Sequence, residues 1–302
     1  MMQKYTINKF LDLRLEEGKT NIYVNNELFL QCKYLLLEIP INDFDYLEEI
    51  TSIDEIVNIL DKSLENFNYK HLNISPEIQF WGHCSNLQVW YENNYENCLI
   101  HKNLSFPLLK KLTEAGDLSA KKVFKEEIAK RFEEGGLNTL QYLLYNGYLN
   151  YLNKEERECI LEELISDLTN NAKNLLEDYG INKIQVNFTQ IKNLIEIVIF
   201  IDLVYDKSFV LQIFDELPKG MKEQFANTII LHLNYKEFRE YKISYGKFYI
   251  FVEKILEYFN KISPKILDIL KLLDSGFYSA DVPIYEKLSH GARPFNFDLD
   301  ES

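Results

Sequence analysis

The sequence is poor in the two residues that most often interrupt regular structure, with 11 glycines and 7 prolines among 302 residues. Such scarcity argues against many short strands joined by tight turns and favours long helices. Cysteine is also scarce, with four in the whole chain. Four cysteines in a chain of this length do not form the dense disulfide framework of a small secreted domain. We therefore expect free thiols and a cytoplasmic location.

Long uncharged apolar runs are missing as well. The most apolar stretch, residues 195–213, is interrupted by Glu196, Asp202, Asp206 and Lys207, whereas a membrane-spanning helix needs roughly 20 predominantly apolar residues. The first residues, MMQKYTINKF, have neither the apolar core nor the cleavage site of a signal peptide. We expect no membrane partner.

Several functional signatures are missing too. The sequence has no G-x-x-x-x-G-K-[ST], no G-x-G-x-x-G and no H-E-x-x-H motif, which removes the common signals for phosphate loops, dinucleotide folds and zinc proteases. Positive charge is in deficit, since the formal net charge is −14. An acidic surface repels phosphate backbones, so the composition argues against nucleic acid as a partner.

Aromatic side chains, by contrast, are plentiful: they make up 14% of a sequence that is 46% hydrophobic. This balance is typical of a globular protein with a well-filled core. Between residues 4 and 40, apolar residues alternate around two turn signals, Glu17-Gly18-Lys19 and Asn25-Asn26, which predicts an antiparallel sheet of two to four strands, the last over 34–37. A helix is predicted over 53–64. Together they indicate a compact α+β module.

Beyond residue 75 the pattern is helical. Ser75 followed by Pro76 predicts a helix over 76–94, and Phe106-Pro107 and Ser119 predict the starts of two more. The chain from 106 to 136 then has the helix–turn–helix form of one HEAT-like unit, with a weak echo at 266–277. Further helices are predicted over 154–179, 188–204, 207–216, 218–234, 236–260 and 262–275.

The predicted fold class is predominantly α. A small N-terminal α+β module is followed by an irregular helical bundle or a HEAT-like helical array, and the single convincing helix pair favours the bundle. The predicted domains are the α+β module (1–72), a helical module (73–152), a C-terminal helical domain (153–290) and a flexible tail (291–302).

The stretch QFWGHCSNLQVWYENNYENCLIH, residues 79–101, contains both tryptophans of the chain, two of its four cysteines and two of its five histidines. One hypothesis is a catalytic site. Cys84 would be the nucleophile, with Asn86 nearby and with His101 or His83 as the base that lowers the pKa of the thiol. Neighbouring residues on a helix point about 100° apart, so His101 is the better base if the chain folds back toward Cys84.

A metal site is a second hypothesis for the same stretch. Cys98 and His101 form one C-x-x-H pair, and His83, Cys84 or Cys32 could complete the four donors that zinc prefers. One such pair is weak evidence, so the expected cofactor is none.

The third hypothesis is structural or binding. Trp81, Leu87 and Trp90 would form one anchoring face on the N-terminal sheet, and nearby polar side chains would satisfy the indole N–H groups. A groove that holds a peptide would have the same composition. The predicted binding residues are Trp81, Trp90, Asn93, Asn94 and Tyr95.

Three segments carry a resemblance: FLQCKYLLLEIP, SPEIQFWGHCSNLQVWYENNY and LIHKNLSFPLLKKLTEAGDLSAKKVFKEEIAKRF. They resemble an uncharacterised archaeal family, of the Asgard type, in which this N-terminal region often precedes leucine-rich repeats. The resemblance covers residues 4–152 and implies an archaeal cytosolic protein without an assigned activity. In that family the position of Cys98 is often not a cysteine, which counts against zinc. After residue 152 helices replace the repeats, which implies a different C-terminal recognition or effector domain.

These observations predict a non-enzymatic protein-interaction or adaptor module whose partner is another protein or a peptide. The alternative is a cysteine-dependent hydrolase or transferase that uses Cys84 with His101 or His83.

Overall fold

The computed structural model describes residues 3–30, 75–181, 186–233, 241 and 243–260. The chain divides into two compact units, Met1–Ile128 and Ala129–Ser302, which are treated separately below. Several predictions lie outside the described residues: the strand at 34–37, the helices over 53–64 and 262–275, the zinc ligand Cys32, the domain limits at 72 and 290, and the tail 291–302.

The first unit begins with a four-stranded antiparallel sheet in which the strands follow one another in chain order. Its strands are β1 (Gln3–Thr6), β2 (Leu11–Glu16), β3 (Lys19–Val24) and β4 (Glu27–Leu28). The turns between β2, β3 and β4 lie at the two predicted signals. Glu17, Asn25 and Asn26 have positive φ angles of 51°, 50° and 64°, a conformation that Asn tolerates better than most residues. The predicted antiparallel sheet and its two turns are confirmed, whereas the turn between β1 and β2 was not predicted.

The two faces of this sheet differ in chemistry because side chains alternate along each strand. On one face Leu11, Leu13, Leu15, Ile22 and Val24 are buried. The opposite face is a hydrogen-bonded polar ladder: Arg14 Nε donates to Asp12 at 2.7 Å, and Asn21 and Tyr23 each donate to Glu16 at 2.8 Å. The apolar face is the one that needs a covering layer.

Three α-helices follow the sheet in the described part of the first unit. They are α1 (Pro76–Glu92), α2 (Lys102–Glu114) and α3 (Leu118–Glu134), and α3 continues past the boundary of the unit. Helix α1 packs on β2 and β3. Its start is as predicted, because the Ser75 side chain accepts from the N–H of Ile78 and Pro76 is the first helical residue.

The predicted starts of the next two helices were wrong. Helix α2 begins at Lys102 rather than at Phe106, because His101 caps it: Nδ1 accepts from the N–H of Asn103 at 3.1 Å, so Pro107 lies inside the helix. Helix α3 begins at Leu118 rather than Ser119, because Asp117 caps it. Proline is common at a first helical position, which explains the misplaced start at Pro107.

The second unit is helical throughout its described part. Its elements are α4 (Leu137–Tyr145), a 3₁₀ turn (Tyr148–Tyr151), α5 (Lys154–Ile181), α6 (Val186–Tyr205), α7 (Phe209–Glu216), α8 (Lys219–His232) and α9 (Tyr245–Asn260). Helix α6 packs against α4, α5, α7, α8 and α9. Its apolar run is therefore a core helix, with Ile195, Ile197, Val198, Ile199 and Ile201 fully buried.

One of the acidic residues within this run, Asp202, has a structural role. Asp202 is buried, and its two carboxylate oxygens accept from the N–H groups of Phe209 and Val210 at 2.6 and 3.1 Å, which caps helix α7. Burial raises the pKa of Asp202 to about 7, against the opposing effect of the two backbone hydrogen bonds.

The described architecture is thus predominantly helical with a small N-terminal sheet, as predicted. The HEAT-like alternative stays a prediction. Among the helices that the structure describes, none has both the length and the apolar character needed to cross a membrane.

Candidate functional site

Helix α1 carries apolar residues on two opposite faces. Phe80, Cys84, Leu87 and Trp90 are buried and recur at helical spacing toward the sheet. The other face, here called the Trp81 face, consists of Ile78, Trp81, Gly82, Ser85 and Val89, all exposed. Trp81 and Trp90 are nine residues apart, which at roughly 100° per residue places them half a turn apart. The prediction that both tryptophans share one anchoring face was therefore wrong.

Trp90 belongs to the core. It is fully buried, and its ring meets the Tyr95 ring edge-on, with centroids 4.8 Å apart. Among the residues that the structure describes, its indole Nε1 has no hydrogen-bond partner. The expectation that polar neighbours serve this indole was wrong, and Trp90, predicted to bind a partner, has no surface with which to do so.

The segment after α1 ends the helix in a turn that a side-chain hydrogen bond stabilises. Asn93 Nδ2 donates to the Val89 carbonyl at 2.8 Å, and Asn94 and Tyr95 both have left-handed φ angles, of 54° and 64°. Asn93 and Asn94 are exposed, whereas Tyr95 is fully buried. The binding role predicted for Tyr95 is therefore replaced by a role in the fold.

Tyr95 is the centre of a buried polar link. Its hydroxyl donates to Asp117 Oδ2 at 2.5 Å and accepts from Asn8 Nδ2 at 2.9 Å. Burial and the Asp117 carboxylate raise the pKa of Tyr95, so the hydroxyl remains protonated at neutral pH. The link joins the β1–β2 turn to the start of α3, far apart in sequence.

The partners of Tyr95 are themselves anchored to backbone. Asp117 Oδ1 accepts from the N–H groups of Ser119 and Ala120, both at 3.0 Å, and Asn8 Oδ1 accepts from the N–H groups of Phe10 and Leu11. Neither Asn8 nor Asp117 was predicted. The one sequence signal was the Gly116-Asp117 pair between two helices, because Asp directly before a helix is a preferred cap.

The predicted catalytic residues differ in burial and in hydrogen bonding. Cys84 is 1% exposed, and burial raises the pKa of its thiol to about 12. His83 is partly buried, which lowers its pKa and favours the neutral ring. Asn86 is exposed, and His101 uses Nδ1 to cap α2. A nucleophilic cysteine needs a lowered pKa, and the position of Cys84 has the opposite effect.

In the part of the chain that the structure describes, no group of three or more His, Cys, Asp or Glu side chains is placed so that it could hold a metal ion. Cys84, Cys98 and Cys159 are free thiols. A zinc site at Cys98 and His101 with Cys32 stays a prediction, because Cys32 lies outside the described residues.

Trp81, unlike Trp90, is accessible at the surface of the unit. It is 53% exposed, beside Ile78 at 65% and Val89 at 44%. Its ring also packs edge-on against Tyr5 and Phe80, at centroid distances of 5.7 and 5.3 Å. These contacts hold the indole in place while leaving half of it open, so a partner would immobilise it at reduced entropic cost.

Gly82 lies in the middle of the Trp81 face. It is more than a turn from either end of α1, and a Cβ added there would meet no atom within 4 Å. Glycine inside a helix costs about 1 kcal/mol relative to alanine. Alanine would fit at this position and would favour the helix. The described packing of the unit therefore does not explain why the residue is a glycine.

The charge of α1 has one sign. Glu77 and Glu92, near its two ends, are exposed, and the helix contains no Lys or Arg. The Trp81 face is therefore an apolar stripe that has no side chain at its centre, Gly82, and a carboxylate near each end of the helix.

Comparison with protein-family models, with curated proteins and with solved structures finds no match for the chain. The resemblance to an archaeal family stays a prediction, and the candidate site rests on its own geometry.

Proposed function

We propose that the chain is a non-enzymatic protein-interaction module, of the adaptor type, that binds another protein through the Trp81 face. The observation that carries the proposal is the exposure of Ile78, Trp81 and Val89 along one side of α1, with a tryptophan ring already oriented by its neighbours. Exposed apolar surface of this kind marks interaction sites. Tryptophan is enriched among the residues that dominate binding energy.

The alternative function, a cysteine-dependent reaction at Cys84, has weaker support. The raised thiol pKa leaves very little thiolate at neutral pH. The scarcity of cysteine and the acidic composition support a cytoplasmic location and a partner other than nucleic acid.

The proposal predicts that Trp81→Glu abolishes partner capture without unfolding the protein. Immobilised full-length chain is exposed to a lysate of the organism that encodes it, and bound proteins are quantified by mass spectrometry. At least one protein retained by the wild type should fall by about tenfold or more with Trp81→Glu, because a charge replaces the central apolar contact.

Leu118→Glu is the matched control. Leu118 is 80% exposed in the same unit but lies at the start of α3, outside the Trp81 face. It should retain the same protein at wild-type level, and circular dichroism should show that both variants are folded. Equal capture by wild type and Trp81→Glu would refute the proposed function.

A further inference from the structure

We infer that the partner presents an amphipathic α-helix that crosses α1 at Gly82 and carries Lys or Arg beside its apolar face. This inference rests on the proposed function, and it specifies the chemistry of the occupant. Gly82, the length of the stripe and the charges at its ends each support it.

The glycine sets the shape of the occupant. The separation of two packed helices, typically 8–10 Å, depends on the side chains at their crossing point. At Gly82 there is no side chain, nothing lies within 4 Å of the Cβ position, and the neighbouring Ser85 is small. A second backbone can therefore approach closely. This gap between the side chains of α1 is here called the notch. Trp81 lies to one side of it and would contact the flank of a helix seated there.

The length of the Trp81 face suits a helix of a few turns. From Ile78 to Val89 the stripe extends for about 16 Å, at about 1.5 Å per residue. Its apolar members follow the spacing of one helical face. A partner helix with apolar residues at the same spacing would place one near Ile78 and another near Val89 when its smallest residue lies over Gly82.

The charges select between possible partners. Glu77 and Glu92 are exposed at opposite ends of α1, and the helix contains no Lys or Arg. A second copy of this chain, with a net charge of −14, would bring carboxylates toward carboxylates. Like charges across an interface oppose association, whereas Lys or Arg at matching positions would favour it and speed encounter. The occupant is therefore a basic helix of another protein.

The test uses two synthetic helical peptides with the same Leu and Ala face, one flanked by Lys and the other by Glu. Their binding to the full-length chain is measured by fluorescence anisotropy. The Lys peptide should bind at least about tenfold more tightly at low salt, and this preference should shrink as salt is raised. Gly82→Leu should weaken the Lys peptide by about tenfold or more, because the new side chain fills the notch.

Two further variants make the result specific. Gly220→Leu also adds a side chain at a helical glycine with open space, but in α8, so the Lys peptide should bind it as it binds the wild type. Gly82→Ala should weaken binding while raising the thermal midpoint by about 2–4 °C, since alanine is the better helix former. Gain in stability with loss of binding is a combination that a purely structural Gly82 would not give.

The inference is overturned by equal affinity for the two peptides, by undiminished binding to Gly82→Leu, or by self-association that Gly82→Leu abolishes. The last result would assign the face to a second copy. If the peptides fail but Trp81→Glu still loses its captured protein, the proposed function stands and only the chemistry of the partner is wrong.

Discussion

Replacement of Trp90 by alanine is expected to lower the free energy of unfolding by about 3–5 kcal/mol. Trp90 is fully buried against Tyr95 on the face of α1 that covers the sheet. Removing it leaves a large cavity between a helix and a sheet that cannot easily collapse. Urea unfolding followed by far-UV circular dichroism measures the loss.

Trp90→Phe is the informative companion to this variant. Phenylalanine keeps an aromatic ring but loses the indole N–H, for which the described part of the chain offers no hydrogen-bond acceptor. The substitution should therefore cost only about 1–2 kcal/mol, from volume alone. If Trp90→Phe were as damaging as Trp90→Ala, the N–H would have to make an interaction that stabilises the fold, and this description of the core would be wrong.

Replacement of Asp117 by alanine is expected to cost about 2–4 kcal/mol, because one carboxylate serves three donors. It accepts from the Tyr95 hydroxyl and from the N–H groups of Ser119 and Ala120. Loss of a helix cap accounts for about 1 kcal/mol, and the buried tyrosine hydroxyl left without its acceptor accounts for about 1–3 kcal/mol more. The same urea unfolding experiment measures this loss.

A double-mutant cycle tests whether the link itself is the cause. Tyr95→Phe leaves Asp117 Oδ2 and Asn8 Nδ2 without their shared partner. When both substitutions are combined, the total loss should be smaller than the sum of the single losses by about 1 kcal/mol or more, because the pair interacts directly. Additive losses would mean that Tyr95 stabilises the unit by packing alone. Asp117→Asn should cost less than Asp117→Ala, since asparagine also caps helices well.

Much of the first unit could be predicted because its signals are local. The turns at Glu17-Gly18 and Asn25-Asn26 and the cap formed by Ser75 and Pro76 each depend on residues adjacent in sequence. Their conformations follow from the preferences of those residues, so a short window of sequence contains the answer.

The failures have equally physical reasons. His101 is an uncommon helix cap, and its role emerges only from the orientation of its ring. The hydrogen bond from Tyr95 to Asp117 joins residues 22 positions apart, and no local pattern encodes it. The placement of Trp81 and Trp90 on opposite faces of α1, by contrast, could have been predicted, because residues nine positions apart on a helix lie on opposite faces.

The central claim is that α1 presents one tryptophan to the core and leaves the other available to a partner. Since the chain contains only these two tryptophans, Trp90→Phe and Trp81→Phe each leave one fluorophore, whose acrylamide quenching reports its exposure directly. We expect Trp81 to emit at longer wavelength and to be quenched several-fold more strongly than Trp90. If Trp81 proves as well shielded from acrylamide as Trp90, the Trp81 face is not open in solution and the claim is contradicted.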